Sequence, residues 1–387
     1  MTRAEPVAVA INAGSSSVKV ALFTLAAEPE LLVRASLPAQ AQGRSPVDAR
    51  SRPVLDWIEE NARGRDLRGA GHRFVHGGAS HRSPERITPA LRAALGELVL
   101  LAPNQLPEEL ELLDSIAAAH PGLAQIACFD TGFHSGMPAV ARRLPLPQIY
   151  ADAGVERYGF HGLSYEFLLQ ALARIAGEEA AAGRVIFAHL GSGSSLAAVR
   201  ERQCVDTTMG FTPIGGVVMS SRSGDLDPGA MTFIARRDRL TADELEELLS
   251  CRSGLLGISG VSGDMRLLLE RETDDPSCRL AVAAYVHSVR KAIGALTAVL
   301  GGLDTLVFSG GIGERSPAIR ARICTGLDYL GVDLDEPANQ ANSPLISTAP
   351  SLPQEKARAV AVRVIATDEE QVIARAMAKL IGAPEKP

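Results

Sequence analysis

A strand–turn–strand segment occurs twice in the sequence, and this repetition constrains the fold more than any other feature. INAGSSSVKVALF (11–23) runs from an apolar stretch through glycine and serines into a second apolar stretch. HLGSGSSLAAV (189–199) has the same form in the middle of the chain. Short apolar runs on either side of a Gly/Ser turn predict a β-hairpin. Two such hairpins, one in each half, predict a duplicated domain.

Strand-like and helix-like runs alternate along the rest of the chain, which is typical of an α/β protein. Further strands are predicted at AGHRFVH, QIACFD, TLVFSGG and AVRVIAT. Helices are predicted near residues 54–62, 88–100, 107–119, 241–250 and 280–300. A chain of 387 residues exceeds one ordinary hydrophobic core, so two domains are expected.

Charge and cysteine usage exclude several classes of protein. The net charge of -6 gives no electrostatic case for binding nucleic acid or an anionic membrane. No stretch approaches 18 uncharged apolar residues, so no membrane span is predicted. The five scattered cysteines form no CxxC pair, which indicates reduced thiols and a cytoplasmic protein.

The opening hairpin loop carries more polar groups than a turn requires. It is not a Walker A loop, because GxxxxGK[ST] is absent. Its N–H groups and hydroxyls could still face an anion, with Lys19 adding a positive charge. Asn12, at the end of its strand, is a candidate indirect metal ligand. The alternative is a plain surface turn in which the serines are merely tolerated.

Four charged or ionisable residues stand out in other motifs. Arg73 lies in the strand-like GHRFVHGG, where a buried guanidinium needs either an anion or a structural carboxylate. Asp130 of FDTGFH is a candidate to hold a metal or orient a base, or else it caps a turn. His161 of YGFHG could stabilise an oxyanion or be a core histidine. Arg222 of SRSGDLDP could clamp a phosphate or belong to a surface turn.

Two late motifs complete the candidate residues. LVFSGGIGE (306–314) leads from a strand into glycines without the full GxGxxG spacing, so a Rossmann dinucleotide site is weakly supported. TDEE (367–370) either caps a helix or holds Mg²⁺ through water. Anion loops, two arginines, a histidine and acidic groups together fit phosphoryl transfer, in which catalysis is mostly positioning and charge neutralisation.

Eight motifs in order give the chain a close resemblance to the acetate kinase family, which comprises acetate and propionate kinases. They span residues 7 to 370 and are INAGSSSVK, GHRFVHGG, FDTGFH, YGFHGLS, SRSGDLDP, GLLGISGVSGDMR, VFSGGIGE and TDEE. The resemblance implies an α/β fold of two duplicated actin-like (ribonuclease H-like) domains around a nucleotide cleft. It also implies Mg²⁺-dependent transfer of phosphate from ATP to acetate, and a homodimer.

The resemblance also assigns roles by motif position. The implied catalytic residues are Arg73, Asp130, His161 and Arg222. The implied acyl site consists of Arg73, Val75, Asn104 and Pro213, and the implied Mg²⁺ positions are Asn12 and Glu369. The implied ATP-binding residues are Ser15, Ser17, Lys19, His189, Gly191, Ser192, Gly193, Asp264, Met265, Arg266, Gly310, Gly311, Ile312 and Gly313.

Several positions depart from the family pattern. Ser192 stands where an asparagine is usual, Tyr165 where a histidine is usual, and Arg315 where an asparagine is usual. The family's APLHNP reads APNQLP here, so Asn104 and Gln105 replace a leucine and a histidine near the acyl methyl. A polar amide beside a methyl group is unfavourable unless it is bonded elsewhere. This suggests a preference shifted toward a small hydroxylated acid.

The expected domains are residues 1–133 with 371–387, and residues 134–370. Three alternatives to an acetate kinase remain open. The first is a propionate or other short-chain carboxylate kinase, and the second is a sugar kinase of the same superfamily, which would need an aspartate base. The third is a non-catalytic ATP-binding module.

Overall fold

A computed structural model describes residues 5–14, 17–38, 47–348 and 359–382. The chain divides into two compact units. Unit 1 comprises Met1–Phe133, Gly162–Phe167 and Asp368–Pro387, and unit 2 comprises His134–His161 and Leu168–Thr367. Each unit is built on its own β-sheet, with helices packed on it.

Unit 1 contains a six-stranded mixed sheet. Its strands are β1 (Pro6–Ala13), β2 (Ser17–Thr24), β3 (Leu31–Pro38), β4 (Asp66–Phe74), β5 (Glu85–Arg86) and β6 (Ala124–Phe129). They lie in the order β3-β2-β1-β4-β6-β5. The β1–β2 and β2–β3 pairs are antiparallel, whereas β4 is parallel to both β1 and β6. The predicted first hairpin is confirmed.

Unit 2 contains a five-stranded sheet. Its strands are β7 (Val185–Leu190), β8 (Ser194–Arg200), β9 (Gln203–Thr207), β10 (Thr305–Ser309) and β11 (Ala361–Val364). The order is β11-β10-β7-β8-β9, with β7–β8 and β8–β9 antiparallel and β7–β10 and β10–β11 parallel. When its strands are numbered from β7, this sheet has the order 3-2-1-4-5. Unit 1 has the same order if its two-residue strand β5 is left out and β6 is counted as the fifth strand. The predicted duplication is therefore confirmed by topology as well as by the two hairpins.

The helices of the described residues are α1 (Val47–Asn61), α2 (Pro89–Glu97), α3 (Leu106–Ala119), α4 (Ala139–Arg142), α5 (Gln148–Asp152), α6 (Gly162–Ala176), α7 (Glu178–Ala182), α8 (Pro228–Asp238), α9 (Ala242–Cys251), α10 (Gly254–Ser259), α11 (Met265–Arg271), α12 (Pro276–Leu300), α13 (Gly310–Arg315), α14 (Pro317–Cys324), α15 (Glu336–Gln340) and α16 (Glu369–Ile381). The five predicted helices correspond to α1, α2, α3, α9 and α12, and the described residues contain further helices that were not predicted. Short 3₁₀ turns lie at Leu98–Leu101, Gly132–His134 and Asp328–Leu330.

Helices cover both faces of the unit 1 sheet. Alternate residues of β1 point to opposite faces, so Ala8 and Ala10 pack under α16, whereas Val7 and Val9 pack under α1 and α3. The helix α16 approaches closely because β4 carries glycine there. A Cβ at Gly71 would lie only 2.4 Å from Cγ2 of Ile373.

The core of unit 2 is organised by α12, which has 25 residues. Its inward face supplies Ala281, Tyr285, Val289 and Ile293 to one hydrophobic cluster with β7, β8 and β10. Asp275 caps its first turn by accepting hydrogen bonds from backbone N–H groups, which is favourable at a helix N-terminus. Within the parts of the chain that the structure describes, no helix is long and apolar enough to cross a membrane.

Candidate active site

The predicted polar residues of unit 1 gather at one edge of its sheet. Asn12 and Arg73 lie at the carboxyl ends of β1 and β4, and Asp130 directly follows β6. These three strands are mutually parallel, so their carboxyl ends meet at the same edge. This edge is where open α/β sheets bind ligands.

Three hydrogen bonds fix the guanidinium of Arg73. Its Nε and Nη2 donate to Oδ2 of Asp130 at 3.0 and 2.5 Å, and its Nη1 donates to the carbonyl of Ala13 at 2.8 Å. Only 13% of the Arg73 side chain and 1% of the Asp130 side chain are exposed. Burial opposes the charge of Arg73, but the surrounding carboxylates, Asp130 foremost, outweigh it and raise its pKa. Arg73 therefore carries a permanent charge in a fixed orientation.

A buried glutamate lies beside this pair. Glu109, in the first turn of α3, accepts a hydrogen bond from the N–H of Val75 through Oε2 at 3.0 Å. Its Oε1 lies 3.6 Å from Nη1 of Arg73. Burial raises the pKa of Glu109 to about 8, although Arg73 and the Val75 N–H act in the opposite direction. The Glu109 carboxyl is therefore mostly protonated at pH 7.

The amide of Asn12 lies against two carboxylates at the start of α16. Its Nδ2 donates to Oε2 of Glu369 at 2.7 Å and to Oε1 of Glu370 at 2.8 Å. Burial raises the pKa of Glu370, and the charge of Lys19 opposes that change. Amide and carboxylate oxygens are the ligands that Mg²⁺ prefers, and Mg²⁺ usually keeps several waters. The residues present therefore fit a water-mediated Mg²⁺ site.

The opening hairpin loop is tight. The N–H of Gly14 donates to the carbonyl of Ser17 at 2.9 Å. Lys19 is exposed and pairs in register with Asn12 across the hairpin. Its ammonium group is therefore placed near the same sheet edge as the carboxylates. Ser15, which the resemblance assigns to the phosphate path, lies outside the described residues.

His161 of unit 2 is held by its neighbours in an unusual backbone conformation. Its φ of 59° is left-handed, which costs a non-glycine residue energy and is often found at functional sites. Its Nδ1 lies 2.9 Å from Oγ of Ser195, and its ring stacks on His189 with centroids 4.3 Å apart. The ring is thus fixed, and its Nε2 faces Gly193, where a Cβ would come within 3.2 Å of it.

Arg222 borders the same glycine. A Cβ at Gly193 would lie 3.4 Å from Nη1 of Arg222, and that nitrogen also donates to the carbonyl of Pro213 at 3.2 Å. An imidazole and a guanidinium therefore approach the same residue, Gly193, which has no side chain to separate them from its backbone. Such an arrangement suits the stabilisation of phosphoryl oxygens. The neighbouring Asp225 accepts a hydrogen bond from the N–H of Gly216, and Asp227 caps α8 by accepting one from the N–H of Gly229.

The late glycines form the first turn of the short helix α13. Gly310 has φ 74°, and a Cβ there would lie 2.7 Å from the backbone of Leu190. A Cβ at Gly191 would lie 3.9 Å from the backbone nitrogen of Gly311, so this turn and the loop at residues 191–193 are neighbours. Glu314 closes the turn, since its Oε1 accepts from the N–H of Gly310 at 2.9 Å. Ile312 packs partly against the core of unit 2.

A fully buried arginine donates hydrogen bonds to backbone carbonyls of α13. Arg320 donates through Nη1 to the carbonyls of Gly313 at 2.8 Å and Glu314 at 3.1 Å. Its other nitrogens donate to the side chain and backbone oxygens of Asn339 and to the side chain of Asn342. Burial lowers the pKa of Arg320. All of these partners are neutral oxygens, and Arg320 is buried. It therefore stabilises the backbone of α13 and is not available to a ligand.

The third predicted nucleotide segment lies at the start of α11. Asp264 caps that helix by accepting from the N–H of Arg266 at 2.9 Å, and it also pairs with the Arg266 guanidinium at 2.8 Å. The side chain of Met265 is 4% exposed and belongs to the core of unit 2. Only the backbone of Met265 is therefore available to a nucleotide.

The positions that depart from the family pattern fall into two groups. Ser192, Arg315 and Asn104 are exposed, and Gln105 is half-buried. Tyr165, in contrast, is fully buried within unit 1. The Asn104 amide is therefore solvated and does not need a polar substrate to satisfy it.

Sequence reasoning missed four residues that shape the site. Glu109 lies 34 residues from Val75, whose N–H it binds, and no spacing rule links the two. Glu314 and Glu370 were visible in LVFSGGIGE and TDEE but were given no role of their own. Ser195 was visible as the last serine of HLGSGSS, but its contact with His161 joins residues 34 positions apart.

Comparison with known proteins agrees with these observations. Residues 52–375 match the model of the acetokinase family. An acetate kinase of Rhodopseudomonas palustris is 41% identical, with 95% of this chain and 97% of that protein covered. A crystal structure of Porphyromonas gingivalis acetate kinase is 32% identical with a TM-score of 0.78, and covers 95% of this chain and 98% of its own. A propionate kinase of Francisella tularensis is 30% identical with a TM-score of 0.84, and covers 96% and 98%.

The two-sheet α/β fold, the ordered motifs and these similarities agree with one another. The chain belongs to the acetokinase family, whose members are phosphotransferases with a carboxyl group as acceptor.

Proposed function

We propose that this protein is a Mg²⁺-dependent acetate kinase, which transfers the γ-phosphoryl group of ATP reversibly to acetate. The observation that carries the proposal is the approach of His161 Nε2 and Arg222 Nη1 to the same glycine, Gly193. The Arg222 guanidinium stays protonated and cannot remove a proton from a hydroxyl acceptor in the way an aspartate would. The imidazole and the guanidinium are both suited to bind the oxygens of a phosphoryl group in transfer.

The reaction needs no general base. Acetate is already ionised at pH 7, so one of its oxygens attacks the γ-phosphorus directly. The new O–P bond forms as the bond from the γ-phosphorus to the β,γ-bridging oxygen breaks. The electron pair leaves with ADP, and no proton is transferred.

The proposed roles in unit 1 follow from the contacts at its sheet edge. Arg73 binds the acetate carboxylate through its exposed part, and Asp130 holds the guanidinium in place. Val75, which is buried at the end of the same strand, contributes to the apolar acyl pocket. Asn12 and Glu369 position Mg²⁺ through water. Mg²⁺ supplies charge neutralisation of the ATP phosphates when bound.

The proposed roles in unit 2 concern the nucleotide and the phosphoryl group in transfer. The family resemblance assigns Pro213 to the acyl site, and His189 supports the His161 ring by stacking. The glycine loop at residues 191–193 and the first turn of α13 bind the phosphates and the nucleoside through backbone groups. Ser17 and Lys19 of unit 1 line the phosphate path.

Acetate is proposed over a hydroxylated acid because the exposed Asn104 amide requires no polar partner. A homodimer, a cytoplasmic location and a division into residues 1–133 with 371–387 and residues 134–370 are also part of the proposal. They rest on the family resemblance. The compact units of the structure differ from that division by assigning residues 162–167 and 368–370 to the first unit.

The test is acyl phosphate formation from Mg·ATP, trapped with hydroxylamine, for formate, acetate, glycolate, propionate and butyrate. His161→Ala and Arg222→Ala should abolish the product. Arg237→Ala is the matched control, because Arg237 is 63% exposed and pairs with its neighbour Asp238.

Each outcome decides something. Turnover fastest with acetate, lost in both variants and kept in the control, supports the proposal. If turnover is fastest with another acid, the protein is still a phosphotransferase with a carboxyl acceptor, but acetate is not its preferred acceptor. ATP binding without product from any acid would favour a non-catalytic ATP-binding module.

A further inference from the structure

Glu109 connects two elements of the proposed acyl site that the mechanism treats separately. Its Oε2 accepts the N–H of Val75 at 3.0 Å, and its Oε1 faces the guanidinium of Arg73 at 3.6 Å. The side chain is 2% exposed. Glu109 is on α3, whereas Arg73 is in β4 and Val75 directly follows that strand. Glu109 therefore contacts the end of β4 from a different element.

The longer of these two distances is informative. A separation of 3.6 Å exceeds a hydrogen bond, and Oε1 of Glu109 has no hydrogen-bond partner among the residues that the structure describes. A charged carboxylate buried in this way next to an arginine would be expected to close that gap. Arg73 instead gives its short contacts to Asp130 and Ala13. The contact between Glu109 and Arg73 is therefore longer and weaker than the one between Asp130 and Arg73.

We propose that Glu109 is a positioning residue for the acceptor half of the reaction. Through Val75 it fixes the backbone that forms the acyl pocket. Through its charge state it sets how much of the positive charge of Arg73 is available to the substrate's carboxylate. This inference rests on the proposed function.

The protonation state of Glu109 determines whether its effect on Arg73 weakens acetate binding. Burial raises its pKa to about 8, with Asp130 and Glu108 adding to the effect and Arg73 opposing it. Below that pH Glu109 is neutral, and the carboxylates that act on the charge of Arg73 are Asp130, its direct partner, and Glu369. Above it, a further carboxylate competes with the substrate for the same guanidinium. Arg92 of the adjacent α2 does not enter this balance, because it pairs with Asp114 at the exposed side of α3.

The consequence is a specific pH dependence of acetate binding. The carboxylate of acetate does not titrate in this range, so the change comes from the enzyme. The KM for acetate should be constant from pH 6.5 to 7.5 and then rise. If acetate binds only when Glu109 is protonated, the KM for acetate rises at most about tenfold for each pH unit above the pKa of Glu109. The KM for ATP should not follow this rise.

The experiment compares three variants with the wild type at pH 6.5, 7.5 and 9.0. Glu109→Gln keeps an oxygen for the Val75 N–H but removes the charge. Glu109→Leu removes both. Asp114→Asn is the matched control, because it removes one carboxylate from an exposed position of the same helix. Thermal unfolding of each variant shows that it is folded at the assay temperature.

We expect Glu109→Gln to match the wild type at pH 6.5 and to keep a low KM for acetate at pH 9.0, where the wild-type KM rises. Glu109→Leu should raise the KM for acetate several-fold at every pH, with kcat and the KM for ATP within about twofold of the wild type. Asp114→Asn should follow the wild type throughout.

Two results would overturn the inference. If Glu109→Gln and the wild type show the same KM for acetate at pH 9.0, the charge of Glu109 does not act on acetate binding. If Glu109→Leu changes kcat and the KM for ATP as strongly as the KM for acetate, the residue is merely structural. A wild-type enzyme that forms no acyl phosphate would instead refute the proposed function, so the two failures are distinguishable.

Discussion

Replacing Arg73 with methionine tests whether the ion pair at the sheet edge of unit 1 is energetically significant. The substitution leaves the carboxylate of Asp130, whose side chain is 1% exposed, without its countercharge. Breaking a buried ion pair by removing one partner typically costs about 3–5 kcal/mol. The hydrogen bond from Nη1 to the carbonyl of Ala13 adds about 1 kcal/mol. Glu109 adds little, because it is mostly protonated at pH 7. We therefore expect the free energy of unfolding of unit 1 to fall by about 4–6 kcal/mol.

The chain carries its own probe for this measurement. Trp57 is the only tryptophan of the sequence, and it lies on α1 against the unit 1 sheet. Urea unfolding followed by tryptophan fluorescence therefore reports on unit 1 specifically. Arg68→Met is the matched control, since Arg68 lies on the same strand, is 58% exposed and pairs with Asp66. Its effect should stay within about 0.5 kcal/mol.

A second variant separates charge from packing. Arg73→Met combined with Asp130→Asn removes the uncompensated carboxylate, so the double variant should be more stable than Arg73→Met alone. A loss below about 1 kcal/mol for Arg73→Met, or a double variant no more stable than the single one, would refute this account of the pair.

Three further predictions concern other contacts of the site. Glu109→Gln should raise the free energy of unfolding of unit 1 at pH 7.5. Because the pKa of Glu109 is about 8 in the folded protein and about 4.5 when unfolded, the wild type loses stability as the pH rises from 4.5 toward 8. The variant has no carboxyl group at this position and does not lose that stability. Urea unfolding at pH 5.0 and 7.5 checks it, and the advantage of the variant should grow with pH by about 1.4 kcal/mol per unit at most. Arg320→Met should lower stability by about 3 kcal/mol or more and raise the KM for ATP, because it leaves buried carbonyls of the nucleotide loop unpaired. Thermal unfolding and ATP titration measure both effects. Ser195→Ala should lower kcat about tenfold with the KM for acetate nearly unchanged, because the His161 ring loses the partner of its Nδ1.

Local pattern was sufficient for most of the fold. The hairpins at Asn12 and His189, the buried strands and the long helix α12 all carry strong apolar periodicity, and all were predicted. The strands β3, β5 and β9 were not. LLVRASLP and QCVDT contain polar residues because they lie at or near sheet edges with one solvated side. Their identity as strands depends on neighbours that are distant in sequence.

The candidate site divides in the same way. Arg73, Asp130, His161 and Arg222 occur in glycine-rich or turn-rich motifs, so the sequence marks them. Glu109 occurs in a helix whose pattern is that of an ordinary amphipathic segment. Its burial, its contact with Val75 and its raised pKa arise only when α3 packs on β4, which no local rule predicts.

The position of α16 has a consequence for biosynthesis. This helix covers the unit 1 sheet, and Gly69 and Gly71 are small so that Ile381, Ile373 and Met377 can pack on β4. These partners are separated by about three hundred residues, and the whole of unit 2 is translated between them. During translation, one apolar face of the unit 1 sheet therefore remains uncovered until unit 2 and then α16 have been synthesised. Chaperone dependence during translation should consequently come from the half of the protein that is made first.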